Sequence, residues 1–241
     1  MYNLLIALAS HILTTILLVT LTPLGIWSST LLAMLVFVLV YILLFRHTMK
    51  KIGLLMEIAQ RDLQAGRSEK AIKTLESGFK YVPWQFYVRG QLNAQIGTIH
   101  YLKREFSEAF DYLKKGFVRH WVAQGMLAIC YMKRNKPTQM IDTFEKTVAG
   151  TPKEPLLWNL YAFCLESIGE RDKAIKVMEK GIKKTGGDEN LKANLKALQE
   201  GRRMKMLVYG EMWYQFHLEK TGSIIRQQTK AIQGRRKIVR R

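Results

Sequence analysis

The sequence predicts an all-α protein: two N-terminal transmembrane helices, then a solenoid of about four helical hairpins closed by a C-terminal capping helix. Three observations carry that prediction. Two apolar runs, Asn3–Thr22 and Gly25–Phe45, contain no Asp, Glu, Lys or Arg. The chain is rich in Leu, Lys, Ala, Glu, Gln and Met and holds only 5 prolines, a composition that favours helix. A short pattern of small and apolar residues recurs at intervals of 31 to 38 residues.

Each apolar run has the ~20 residues that carry a helix through ~30 Å of hydrocarbon. Between them, Leu21-Thr22-Pro23-Leu24-Gly25 supplies a proline and a glycine, which break helices and make a turn. A cleavable signal peptide fits poorly. Met1-Tyr2-Asn3 has no positive charge, and no A-x-A-like site precedes the second run. A buried hairpin of a soluble protein is the other alternative, and two charge-free runs of this length weigh against it. The turn is uncharged, whereas Arg46-His47-Thr48-Met49-Lys50-Lys51 follows the second run. Positive residues stay on the cytoplasmic side, so residues 1–46 read as a hairpin with both termini cytoplasmic. His11 lies inside the first run with no acidic partner in either run. It is expected as a neutral imidazole bonded to Thr15, one helical turn on. From Ile26 to Ala65 the only strong helix weakener is Gly53. The second span is therefore expected to continue, straight or with one bend, into the first repeat helix.

The repeat shows best when residues 65–79 (Ala-Gly-Arg-Ser-Glu-Lys-Ala-Ile-Lys-Thr-Leu-Glu-Ser-Gly-Phe) are set against 168–182 (Ile-Gly-Glu-Arg-Asp-Lys-Ala-Ile-Lys-Val-Met-Glu-Lys-Gly-Ile). Each reads as a turn, then a helix with a small residue, an apolar residue four later, and Gly three after that. The same frame fits Ala109, Leu113 and Gly116, and again Met140, Phe144 and Thr147. The anchors Ala71, Ala109, Met140 and Ala174 are spaced by 38, 31 and 34 residues. The preceding helices add Ile96-Gly97 with His100-Tyr101, Leu127-Ala128 with Tyr131, and Trp158 with Tyr161-Ala162 and Leu165. Pro83 and Pro152 follow second helices.

On these residues, about positions 52 to 187 resemble the tetratricopeptide repeat family, whose period is ~34 residues. The first repeat departs from the pattern at Asp62, where the family has Tyr. The spacing of 38 implies a longer first helix or loop in the second repeat. The resemblance implies a repeat domain over 47–187, with repeats at 52–85, 90–119, 121–154 and 155–187. One helical pair cannot bury its apolar face alone, and stacked pairs share a continuous core. A capping helix is expected over 188–203. Asp188 and Glu189 suit its N-terminus, and Leu191, Leu195 and Leu198 share one face.

The family implies protein binding on the concave face, which its frame lines with Gln60, Gln64, Gln91, Thr98, Tyr101, Lys133, Asn159 and Phe163. The Lys/Arg/Asn clamp by which some members hold an acidic C-terminus is absent. Residues 204–241 form an aromatic and then basic tail. Leu207–Leu218 is dense in aromatics, and Trp213, Tyr214 and Phe216 read either as docking anchors or as groups that fold back on the repeats. The second reading is favoured, because exposed apolar segments are a liability. The net charge is +19, of which +9 lies in residues 201–241. Arg235, Arg236, Lys237, Arg240 and Arg241 end the chain without acids. They suit anionic lipid, nucleic acid or the ribosome, or an acidic protein.

No glycine-rich phosphate loop, H-E-x-x-H or G-x-S-x-G is present, and five histidines lack ligand spacing. Cys130 and Cys164 sit in apolar helical contexts without C-x-x-C spacing, which suits a reducing cytoplasm. The expectation is a non-enzyme without cofactor: a membrane-anchored tetratricopeptide adaptor of a bacterial inner membrane. It would bind proteins at the cytoplasmic face as scaffold or assembly factor for a membrane complex. The alternative is a tether for ribosome, nucleic acid or anionic lipid through the basic tail.

Overall fold

A computed structural model describes residues 1–23 and 25–219 of the 241-residue chain. Every regular element among the described residues is helical. Two long helices, α1 (Tyr2–Leu21) and α2 (Ile26–Gln64), are followed by α3 (Ser68–Glu76), α4 (Phe86–Leu102) and α5 (Phe106–Leu113). Then come α6 (Trp121–Lys133), α7 (Pro137–Gly150), α8 (Pro155–Ser167), α9 (Arg171–Thr185) and α10 (Glu189–Gln199), and last the single turn α11 (Glu211–Tyr214). The chain divides into two compact units: Met1–His100 with Ser107–Phe117, and Tyr101–Phe106 with the residues from Val118 on.

In the first unit, α1 and α2 are 20 and 39 residues long, and each is long and apolar enough to cross a membrane. They pack on each other through small residues. Ala7, Ser29 and Ala33 are fully buried between them, the packing expected of helices that associate by close backbone approach. The large side chains point outward: Leu13 is 66% exposed, Leu31 70% and Leu35 69%. A hairpin buried in a soluble core would show the reverse. His11 does not bond Thr15 through its ring. Thr15 Oγ donates instead to the His11 carbonyl at 2.9 Å, and the imidazole lies edge-on to Phe37 at 6.3 Å. Threonine satisfies the nearer backbone acceptor.

The second apolar run continues through Gly53 without a break, and α2 carries both the run and the first repeat helix. It ends where Gly66 takes a left-handed φ of +73°. The buried Asp62 accepts from Arg67 Nη2 at 2.8 Å and from Lys70 Nζ at 3.4 Å. The residue that departs from the repeat pattern thus ties α2 to the start of α3. Behind it, Ile52, Ala59, Ala71, Ile72, Leu75, Val88, Leu92, Ile96 and Ile99 form one core cluster.

In the second unit, α6 packs with α7, α8 with α9, and α8 also against α6 and α10. Pro137 and Pro155 open α7 and α8 at positions where a missing N–H costs nothing. α8 is buried on nearly every side, from Leu156 through Ala162 and again at Cys164 and Leu165. It is therefore the central helix of this unit. A Cβ on Gly181 would lie 2.7 Å from Trp158 Cγ, so only glycine lets α9 approach α8 there. Trp158 Nε1 in turn donates to the Pro152 carbonyl at 2.8 Å. α10 starts where the Asp188 carboxylate accepts from Leu191 N at 2.9 Å, and Leu191 and Leu198 are fully buried under it. The repeat anchors Ala71, Ala109, Met140 and Ala174 all have zero exposure, on α3, α5, α7 and α9.

Candidate protein-binding face

The repeats present two kinds of surface at the positions expected to bind a partner. In the first unit, Gln60 and Gln64 are exposed on α2, while Gln91 and Thr98 are half-buried on α4. Thr98 Oγ is spent on the Ala94 carbonyl at 2.8 Å. Gln91 Oε1 is buried and lacks a hydrogen-bond partner among the described residues. Gln60 borders a cavity of about 40 Å³ together with Leu63, Gln95 and Ile99, far too small for a peptide. Of these four candidates, Gln60 and Gln64 present open helix surface, and Gln91 and Thr98 are partly covered.

In the second unit the expected face is occupied by the chain itself. After α10 the backbone turns at Gly201 (φ +76°) and returns as a strap, Met204–Glu219, built from a 3₁₀ turn (Met206–Tyr209) and α11. Trp213 and Phe216 have no exposed surface. Trp213 stands edge-on to Phe163 at 4.9 Å, and Phe216 lies 6.4 Å from the Trp121 ring. A Cβ on Gly125 would lie 2.9 Å from Leu160 Cδ2, so the missing side chain on α6 leaves room for Leu160 of α8, with the Phe216 ring beside it at 3.4 Å. Tyr101 Oη donates to the Phe216 carbonyl at 2.8 Å, and His217 stacks on the Tyr101 ring at 5.7 Å.

Polar side chains hold the other end of the strap. Asn159 Nδ2 donates to Tyr209 Oη at 2.7 Å and to the Pro155 carbonyl at 3.1 Å. Asn159 Oδ1 accepts from Asn194 Nδ2 at 2.8 Å, and Asn194 Oδ1 accepts from the Lys205 amide at 2.7 Å. Both asparagines are buried and satisfied, as buried polar groups must be.

Several expected site residues thus change role. Tyr101 and Asn159 are fully buried beneath the strap and line no open groove. Phe163 is half-buried against Trp213. Lys133 alone of this set is exposed, with Nζ 5.1 Å above the Phe106 ring. Trp213 and Phe216 pack in the core and are not free docking anchors, and Tyr214 is half-buried. The physical reason is area: two large aromatics gain more from burial on α6 and α8 than from water. Arg235, Arg236, Lys237, Arg240 and Arg241 lie outside the described residues.

The electrostatics of the strap centre on His217. Burial holds its imidazole below the ordinary histidine range, and the nearby Arg104 and Lys133 act in the same direction. Its Nε2 is buried without a hydrogen-bond partner. Burial pushes the Cys130 thiol up to about 11 and the Cys164 thiol further still, the opposite of an activated nucleophile. Among the described residues, no group of three or more His, Cys, Asp or Glu side chains is placed to hold a metal.

No protein-family model and no curated protein matches the chain. Seven chains of solved structures are similar to it, among them three of MamA. A crystal structure of MamA shares 20% identity over 55% of this chain and 77% of that one, with a TM-score of 0.44. The MamA RS-1 ArsTM double mutant shares 16% over 74% and 96%, with a TM-score of 0.47. A further crystal structure of MamA protein shares 17% over 76% and 91%, with a TM-score of 0.44.

A cleft of about 1090 Å³ remains beside the strap, lined among others by Phe163, Glu166, Arg203, Lys205, Val208 and Leu218. Its lining mixes the charged Glu166, Arg203 and Lys205 with the apolar Phe163, Val208 and Leu218.

Proposed function

We propose that this chain is a membrane-anchored helical-repeat adaptor. Its hairpin, α1 and the first half of α2, crosses the bilayer. Its repeats hold one or more proteins at the cytoplasmic face, as scaffold or assembly factor for a membrane complex. The observation that carries the anchoring is the inverted exposure of the hairpin, with small residues inside and leucines outside. Lipid is the solvent that such a surface suits. Arg46, Lys50 and Lys51 at the end of the second run favour cytoplasmic repeats. For the adaptor role, the support is a series of rigid helical pairs with preformed surface, which lowers the ordering cost of binding. A bacterial inner membrane is the setting we infer.

Affinity capture from detergent-solubilised membranes tests the adaptor reading. The full chain is compared with a chain ending at Glu219, which keeps the strap and removes the basic tail. A set of proteins retained by both and resistant to moderate salt is the expected result. Capture of ribosomes or nucleic acid that disappears with the tail or with salt would replace the adaptor by a tether acting through the basic tail.

A further inference from the structure

We propose that the turn between the first and second repeats, Val82–Gln85, together with the start of α4, is a third membrane contact. Trp84, Phe86 and Tyr87 would lie in the interfacial layer of the bilayer that the hairpin crosses. The proposal rests on the membrane-anchor reading and adds to it a lipid-binding surface on the repeat domain itself.

Height along the hairpin comes first. At ~1.5 Å per residue, a span of about 20 residues matches the ~30 Å hydrocarbon core, so its two ends sit at the two boundaries. Tyr2 opens α1 and Phe45 closes the second apolar run, so both lie at the same boundary. The Val82–Gln85 turn is bonded at this level. Tyr2 N donates to the Pro83 carbonyl at 2.9 Å, and the Tyr2 ring meets Trp84 edge-on at 5.3 Å. Gln85, which is buried, accepts from Asn3 Nδ2 at 3.5 Å and donates to Tyr41 Oη at 3.1 Å. Asn3 also donates to Thr48 Oγ at 3.1 Å. A repeat loop is thus stapled to the hairpin where hydrocarbon gives way to headgroups.

Exposure comes second. Trp84 is 38% exposed, Phe86 51% and Tyr87 36%, side by side and next to Tyr2 at 49%. Tryptophan and tyrosine collect at the headgroup level because their rings are apolar and their N–H or O–H stays wet. Lys80 is exposed just before this turn, Arg89 follows Phe86 by one helical turn, and Arg46 and Lys50 are exposed just past the end of the second apolar run. Each such cation near an anionic surface adds ~1 kcal/mol. The interval between Ala71 and Ala109 is the longest in the repeat series. The core of the first unit takes only Val82 as a partly buried contact from this turn. The extra length lies in α4, 17 residues against 13 in α6 and in α8, and the first turn of α4 carries the exposed rings of Phe86 and Tyr87.

The test uses the full chain in liposomes of zwitterionic and anionic phospholipid, spin-labelled at one introduced cysteine. Cys130 and Cys164 are buried and stay in place, and the unsubstituted chain measures any labelling of them. Labels at Phe86→Cys, Leu39→Cys and Gln64→Cys are compared by collision with oxygen, which partitions into lipid, and with a water-soluble nickel chelate. Gln64 ends α2, about 28 Å beyond Phe45 by helical rise, and is the water reference. The expected oxygen-to-nickel ratio is highest at Leu39 and lowest at Gln64, with Phe86 several-fold above Gln64. A ratio at Phe86 equal to that at Gln64, with Leu39 in lipid, overturns the proposal and leaves the anchor standing. Shielding of Phe86 from both reagents points to a protein contact and overturns it too. A water-like ratio at Leu39 overturns anchor and proposal together. Tyr87→Cys repeats the measurement should Phe86→Cys misfold.

Discussion

Tyr101 and Phe216, 115 residues apart, share a buried 2.8 Å hydrogen bond in which the Tyr101 hydroxyl donates to the Phe216 carbonyl. It is one of the side-chain bonds that turn the C-terminal strap into part of the second unit's core. Burial raises the Tyr101 hydroxyl far above the usual tyrosine range, so it stays a donor at every working pH. Tyr101→Phe keeps the ring and strands the Phe216 carbonyl without its donor. An unsatisfied buried acceptor costs about 1–3 kcal/mol. The variant should melt several degrees lower, and limited proteolysis should cut sooner near Gly201 and Gly210.

Trp213→Ala separates packing from docking. Removing a fully buried tryptophan costs about 3–5 kcal/mol, so the second unit should lose much of its stability in denaturant. A variant that melts normally and loses a captured partner would return Trp213 to the role of docking anchor.

Gly181→Ala places a methyl 2.7 Å from Trp158 Cγ. Neither helix can yield without opening the α8–α9 contact, and overpacking of this kind costs about 1–3 kcal/mol. Thermal melting followed by circular dichroism should show the loss. Unchanged melting would mean that α9 does not lie against Trp158.

Acid should loosen the strap. His217 is held below the ordinary histidine value of 6.5 by burial first and by Arg104 and Lys133 after it, and burial lowers His120 as well. Below 6.5 the unfolded chain binds protons that the folded chain refuses, so stability falls as pH drops into that window. Above it both states are neutral and the effect vanishes. The groups facing His217 are these two cations, the Tyr101 and Phe106 rings, and the backbone at Leu102 and Tyr101, whose hydrogen bonds favour the imidazolium but are outweighed by burial and the two cations. His217→Asn, which tolerates the positive φ of +51° at this position, should flatten the decline in melting temperature between about pH 7.5 and pH 5.5. His120→Asn should remove its share and keep a side chain able to cap α6.

The hairpin topology makes a labelling prediction. A cysteine replacing Pro23 should react with an impermeant thiol reagent added outside intact cells, and one replacing the exposed Lys184 should react only after lysis. The reverse pattern would place the repeats outside.

The helical order was legible because short-range physics wrote it. The charge-free runs show as α1 and α2. Ala71, Ala109, Met140 and Ala174, picked out by spacing, are fully buried. Gly53 did not break α2, since one glycine costs only ~1 kcal/mol and packing on either side outweighs it. The binding face was less legible. A periodic frame places Asn159 on a helix face and says nothing about Asn194, Tyr209 and Lys205, which arrive from far along the chain to bury it. The aromatic density around Trp213 was the visible signal that something must cover it. Sequence spacing could not say that Phe163, Trp121 and Tyr101 would do so.

The unbroken α2 also has a consequence for register. Its 39 residues join the apolar run to the first repeat with no swivel. Each added residue would turn everything beyond it by ~100° and advance it by ~1.5 Å. One extra residue near Gly53 would therefore aim the first repeat at a different compass bearing relative to the hairpin. Seven extra would bring it back to within ~20° of the original heading. The azimuth of the first repeat about the hairpin is thus counted out in residues, and insertions of about seven, eleven or eighteen residues restore the heading while most other lengths do not.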